Sequence, residues 1–99
     1  MMTKPAKMKI ENVLQPGKTY NVDAAKFEAV KTAVLKVLPK AEPGMTPAAL
    51  IQAVKPLLPD DQFPGGDRAG WWVKAVQLDL EAKGVITRGP GAPVRLWKK

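Results

Sequence analysis

Residues 70–84 read GWWVKAVQLDLEAKG, a helical stretch with two adjacent tryptophans near its start and almost no polar face. At 100° per residue its apolar arc is wide and comprises Trp71, Trp72, Val73, Ala75, Val76, Leu78, Leu80 and Ala82. The remaining polar stripe consists of Asp67, Gly70, Lys74, Gln77 and Glu81. Because so wide an arc must be covered on two sides, we expect a helix at about residues 67–83 that packs between two others, with Gly84 as its left-handed cap.

Two shorter helices are predicted upstream, at about residues 23–38 and 47–58. Asp23 is a suitable N-cap for the first helix, and Thr46 is a suitable N-cap for the second. Pro56 removes a backbone donor, so the second helix should kink or end just before it. The side chains that we expect to form the core of the three helices are Phe27, Val30, Val34, Leu50, Val54, Trp72, Val76 and Leu80.

Two short β-type runs follow the third helix. They are VITR at residues 85–88 and VRLWK at residues 94–98, and GPGAP between them predicts a hairpin turn. Three helices followed by a hairpin give an α+β, mainly α fold that is winged helix-turn-helix-like, with the hairpin as the wing. In that geometry the polar stripe of the third helix faces the major groove of DNA.

The organisation along the chain is simple. A length of 99 residues with 45% hydrophobic content predicts one domain, which we place at residues 10–99. Residues 1–9 are basic and form an arm that we expect to be disordered. No apolar run is long enough to cross a membrane, and the N-terminus does not resemble a secretory signal, so we expect a cytoplasmic protein without membrane contact.

The composition argues against catalysis. Cysteine, histidine and serine are all absent, which excludes disulfides, thiolate metal sites, the commonest general base and a serine or cysteine triad. Asp60 and Asp61 are adjacent, which favours a turn over a metal site. Asp79 and Lys83 are spaced for a helical ion pair. We therefore predict a protein that is not an enzyme and needs no cofactor and no metal.

The segment FPGGDRAGWWVKAVQLDLEAKGVITR at residues 63–88 carries a resemblance, together with VDAAKFEAV and VLPKAEPGMT ahead of it. It resembles a family of small bacterial proteins known only as a domain of unknown function, and the likeness covers most of residues 10–98. More distantly, a helix followed by KG, an apolar pair and a basic hairpin is similar to winged modules of DNA-binding regulators and of some restriction endonucleases. The resemblance implies a fold but no activity, cofactor or catalytic residue.

The net charge of +7 favours a polyanionic partner such as duplex DNA, although a lysine-rich solvated surface gives the same count. The candidate contacts on the third helix and on the wing are Arg68, Lys74, Gln77, Arg88, Arg95, Lys98 and Lys99. Glu81 and Asp67 weaken this hypothesis, because carboxylates that face phosphates are repelled.

The alternative is a protein-interaction module that binds a second copy of itself as a homodimer, or another protein. Trp71 lies beside the polar stripe, and strand alternation points Trp97 outward if Leu96 points inward, so both are candidate partner-binding residues. Each also has a purely structural interpretation. Trp71 would then cover a flank of the core, and Trp97 would cover an edge of the core near the N-terminal arm.

Overall fold

A computed structural model of the chain describes residues 7–99. Its three helices are α1 (Ala24–Val37), α2 (Pro47–Val54) and α3 (Ala69–Ala82). Two separate antiparallel pairs of strands flank them: β1 (Lys7–Glu11) with β2 (Thr19–Asp23), and β3 (Ile86–Arg88) with β4 (Leu96–Lys98). The α+β, mainly α class and the three helices that the sequence predicted are thereby confirmed.

The first two helices begin where their caps predicted. The Asp23 carboxylate accepts a hydrogen bond from the Lys26 backbone N–H at 3.0 Å, and the Thr46 hydroxyl accepts one from the Ala49 N–H at 3.2 Å. Helix α2 ends at Val54, two residues before Pro56, and a single 3₁₀ turn continues the chain to Leu57. The proline therefore shortens the α-helix, as expected from its missing donor.

Helix α3 begins at Ala69, two residues later than predicted. The preceding residues Pro64–Gly66 form a 3₁₀ turn, and the N–H of Asp67 bonds to the carbonyl of Pro64. Arg68 then takes a left-handed conformation with φ 58°, which stops the helix from extending further back. At the other end Gly84 has φ 73°, which confirms the predicted left-handed cap.

The N-terminal hairpin was missed by the sequence analysis. Lys7–Glu11 pairs with Thr19–Asp23, with Met8 opposite Val22 and Ile10 opposite Tyr20. Residues 7–9 therefore lie in a strand and not in a disordered arm, whereas residues 1–6 of that arm lie outside the described residues. The physical reason is burial, because alternate side chains of the hairpin, including Ile10 and Val22, pack into the core.

All eight side chains expected in the core are buried. Helix α3 lies between α1 and α2 and also contacts β1 and β3, so its wide apolar arc is covered from several directions. Trp72 lies at one end of this core, where its ring meets the Phe63 ring edge to face at 6.1 Å.

The second hairpin is fixed to the helices through β4. Leu96 and Met45 exchange two backbone hydrogen bonds of 2.8 Å, which ties β4 to the turn between α1 and α2. Trp97 lies over Gly44 and Gly89, so it covers this turn. The structural interpretation had placed it at an edge of the core near the N-terminal arm, which is wrong. Gly44 has φ 75°, and a Cβ there would clash with the Leu96 carbonyl, so glycine is required.

Gly70 is different, because nothing in its surroundings requires glycine. It lies in the first turn of α3, and a Cβ added there would come no closer than 4.0 Å to another residue, the Ile51 side chain. We expect Gly70→Ala to raise the free energy of unfolding by up to about 1 kcal/mol, since alanine restricts the unfolded chain and favours the helix. Urea denaturation measures the change. Destabilisation would mean that the start of α3 packs more tightly than this geometry shows.

Candidate binding surface at the start of helix α3

The second half of α3 is closed by the N-terminal hairpin. The backbone N–H of Glu11 donates to the Asp79 carboxylate at 2.8 Å, and the N–H of Val13 reaches the Leu78 carbonyl at 3.4 Å. Asp79 is fully buried, and the Lys83 ammonium lies 2.9 Å from its carboxylate, which confirms the predicted ion pair. The carboxylate has a further role that the sequence did not indicate, because it anchors β1 to the helix.

In the second half of α3 the polar stripe is also covered by other side chains, so the expectation that the whole stripe is exposed is wrong. Gln77 is only 5% exposed, and its side-chain amide donates to the Glu81 carboxylate at 3.2 Å. Arg88 donates two hydrogen bonds to the same carboxylate, one of them at 2.9 Å, and this raises the pKa of Arg88 above its ordinary value. Strand β3 begins four residues after the end of α3 and packs back against the helix. Arg88 therefore pairs with Glu81 and covers this part of the polar stripe.

The open part of α3 is its start. Trp71 is 57% exposed, and Arg68 and Lys74 on either side of it are also exposed. The Trp71 ring meets the buried Trp72 ring edge to face, at 5.1 Å and 87°. Trp71 thus projects into solvent from a position that the core fixes, and it does not cover the core flank as its structural interpretation required.

One side of Trp71 faces a mostly apolar recess of about 380 Å³, which we call the aromatic cavity. The cavity is lined by Ile10, Glu11, Asn12, Tyr20, Trp71, Lys74, Ala75 and Leu78. Tyr20 is 44% exposed, and its hydroxyl donates to the Gln15 side chain at 2.8 Å. The rings of Tyr20 in β2 and Trp71 in α3 therefore border the same recess, which forms only where the N-terminal hairpin meets the helix.

Trp71 also lines a shallower and more polar depression of about 710 Å³, the basic depression. Its charged side chains are the cations Lys7, Lys26 and Arg68 and the acids Asp23 and Asp67. Asp23 is engaged as the cap of α1, and the Lys26 ammonium lies 5.8 Å from the Phe63 ring centre. Within residues 7–99 none of these five groups forms an ion pair with another. The cations therefore remain available to an external anion.

A third recess, of about 290 Å³, lies between α2, α3 and the wing. Lys74 and Leu78 line both this recess and the aromatic cavity. Leu14, which is 61% exposed, lines the third recess as well. Leu14, Tyr20 and Trp71 are large exposed apolar side chains, and all three border these recesses on the open surface of α3.

The structure does not bring the seven predicted nucleic-acid contacts together on one surface. Arg68 and Lys74 lie at the open start of α3, whereas Gln77 and Arg88 are held by Glu81. The remaining three lie at the end of the wing and line none of the three recesses: Arg95, Lys98 and Lys99. Arg95 and Lys99 are exposed, whereas the Lys98 ammonium donates to the Leu35 carbonyl at 2.8 Å. Of the two candidate partner-binding tryptophans, Trp71 is exposed and Trp97 is half-buried.

Several residues of this surface were missed. Lys7, Lys26 and Tyr20 reach it through the N-terminal hairpin and the start of α1. The sequence signals for the hairpin were the apolar pairs Met8/Ile10 and Tyr20/Val22 on either side of the turn residues Pro16 and Gly17, and two strands this short are weakly marked.

The described part of the chain has neither a cluster of metal-binding side chains nor a membrane-spanning helix. No group of three or more acidic side chains in residues 7–99 is placed to hold a metal ion. No helix in the same residues is long and apolar enough to cross a bilayer.

Comparison with known proteins gives one match. A family model described as a family of unknown function, DUF6958, matches residues 7–96. No curated protein and no solved structure matches the chain. The match covers the N-terminal hairpin, all three helices and β3, and it ends at the first residue of β4, so it includes every residue that lines the three recesses.

Proposed function

The chain belongs to DUF6958, a family of unknown function, and we propose that it is a non-enzymatic nucleic-acid-binding module. The observation that carries this proposal is the exposed Trp71 between Arg68 and Lys74 at the start of α3. An exposed indole ring stacks on bases, and the flanking cations attract phosphates. The net charge of +7 adds long-range attraction for a polyanion.

The order of the elements supports a winged helix-turn-helix arrangement as part of this proposal. Helix α3 packs against both α1 and α2, and the antiparallel β3–β4 hairpin follows it as a wing. In helix-turn-helix proteins the N-terminal residues of the recognition helix contact the bases, and this is the end of α3 that is open. Arg95 and Lys99 would contribute backbone contacts from the wing, whereas Gln77 and Arg88 would not.

The non-enzymatic part of the proposal rests on the sequence. Without cysteine, histidine or serine, a catalytic site would have to use carboxylates, lysines, threonines or the single tyrosine. The buried Asp79 and the partly buried Glu81 already hold structural hydrogen bonds. The exposed surface at the start of α3 is therefore better suited to binding than to bond-making chemistry.

The test is a charge reversal of the two exposed cations. We expect Arg68→Glu together with Lys74→Glu to weaken binding of fluorescein-labelled random oligonucleotides at least about tenfold at low salt, because two phosphate contacts are lost and two carboxylates repel the phosphates. Each lost contact should also reduce the slope of log affinity against log salt, by roughly 0.9 on a duplex. Fluorescence anisotropy titrations from low to physiological salt measure both quantities.

A matched control reverses two lysines elsewhere. Lys36 and Lys40 are exposed at the C-terminal end of α1, and Lys36 lies about 15 Å along the helix from Lys26 of the basic depression. The double variant Lys36→Glu and Lys40→Glu changes the net charge equally but should leave most of the affinity. Equal losses from both double variants would show that only net charge matters and that α3 is not the contact surface.

Docking of a protein partner is the second candidate function. The observation that favours it is the concentration of Leu14, Tyr20 and Trp71 around neighbouring recesses, since clustered exposed apolar side chains mark interaction surfaces. If no nucleic acid binds even at low salt, light scattering should be the next measurement. A stable dimer that Trp71→Ala dissociates would then place a second copy of the chain on this surface.

A further inference from the structure

Given the nucleic-acid-binding function proposed above, we infer that the ligand is single-stranded. An unpaired base occupies the aromatic cavity against Trp71, and the adjoining phosphates lie in the basic depression. Trp71 borders both recesses, so one nucleotide step is enough to reach from the one to the other. This replaces the duplex that the sequence favoured.

The open start of α3 can contact bases, but its covered second half leaves few side chains to read the major groove of a duplex. A helix that reads the major groove enters it with side chains that are free to reach base edges. Between Ala69 and Val76 of α3 only Trp71 and Lys74 are exposed, and the next three residues, Gln77, Leu78 and Asp79, are all buried. Strand β1 and the loop between β1 and β2 lie against the same helix, where the Glu11–Asp79 and Val13–Leu78 hydrogen bonds hold them. The accessible surface is a recess between elements and not a protruding helix.

The aromatic cavity has the chemistry of a base-binding recess. Its floor is apolar, from Ile10 and Leu78, and two exposed aromatic rings, Trp71 and Tyr20, border it. Asn12 adds a side-chain NH₂ group that can donate to the edge of a base, while its carbonyl oxygen accepts from the Leu14 N–H at 2.8 Å. The edge-to-face contact with Trp72 fixes the Trp71 ring before a ligand arrives, which lowers the entropic cost of stacking.

The basic depression supplies the phosphate contacts. It presents Lys7, Lys26 and Arg68, and Lys74 adds a fourth cation from the cavity side of Trp71. Glu11 and Asp67 are the acids on these surfaces that have no capping role, and they limit the site to a few phosphates. Stacking is tolerant of sequence, so the structure assigns a site for short single strands with little base preference.

The experiment compares fluorescein-labelled oligothymidylate and oligouridylate with a duplex of the same length, by anisotropy at low and at physiological salt. The expected result is tighter binding of the single strands than of the duplex. Trp71→Ala should weaken single-strand binding about 5- to 150-fold, which is the loss of one stacked base, and Trp71→Phe should recover most of it. Leu57→Ala is the matched control, since Leu57 is also a large exposed apolar side chain but lines none of the three recesses.

Intrinsic fluorescence gives an independent readout. Trp72 is buried and Trp97 is half-buried, so base stacking should quench mainly Trp71, and Trp71→Phe should abolish the quenching. A duplex that binds as tightly as the single strands, or a Trp71→Ala variant with unchanged single-strand affinity, overturns the inference but leaves nucleic-acid binding in place. Absence of binding to every oligonucleotide at low salt overturns the proposed function as well, and is the result that a protein-docking surface predicts.

Discussion

Trp72→Ala should lower the free energy of unfolding by about 3–5 kcal/mol, a large part of the 5–15 kcal/mol typical of a domain. Trp72 is buried, and its ring joins Phe63 to Trp71 through two edge-to-face contacts. Truncation leaves a cavity between these rings that the helices cannot fill by a small shift. Urea denaturation followed by circular dichroism measures the loss.

The neighbouring tryptophan provides the control for this prediction. Trp71→Ala removes a ring of the same size, but that ring is 57% exposed, so we expect a change within about 1 kcal/mol. Similar losses from the two variants would show that Trp71 belongs to the core, and its availability to a ligand would then have to be rejected. A melting temperature of Trp72→Ala within a few degrees of the wild type would refute the core role of Trp72.

The second large effect is expected from Asp79→Ala, at about 2–3 kcal/mol. The substitution removes the acceptor of the Glu11 N–H and leaves that donor without a partner against the helix. Because the lost bond joins β1 to α3, the N-terminal hairpin should open more often than the rest of the domain. Hydrogen exchange should therefore accelerate most at Ile10 and Glu11, whereas amides of α1 keep their protection.

Two further variants separate the causes of this effect. Lys83→Ala removes the partly exposed member of the ion pair and should cost less than Asp79→Ala, because the Glu11 N–H still hydrogen-bonds to the buried carboxylate. Asp79→Asn keeps an oxygen acceptor of similar size and should retain more stability than Asp79→Ala. If Lys83→Ala were as damaging as Asp79→Ala, the ion pair and not the backbone hydrogen bond would be the main contribution.

Sequence reasoning reached part of the candidate surface. It singled out Arg68, Trp71 and Lys74, because their chemistry and their position near the start of the helix are visible in the sequence. It also selected Gln77 and Arg88, but both side chains donate hydrogen bonds to the Glu81 carboxylate. Helical periodicity places side chains around an axis, but it carries no information on which later segment folds back over them.

Local sequence signals were sufficient to predict the three helices, the N-caps of α1 and α2, the C-terminal cap of α3 and the apolar side chains between the helices. Asp23, Thr46 and Gly84 act within a few residues of the chain, so local signals were sufficient to place them. Tertiary contacts set which part of α3 stays exposed. That choice depends on the Glu11–Asp79 hydrogen bond, whose partners are 68 residues apart, and on burial of a hairpin too short to be stable by itself.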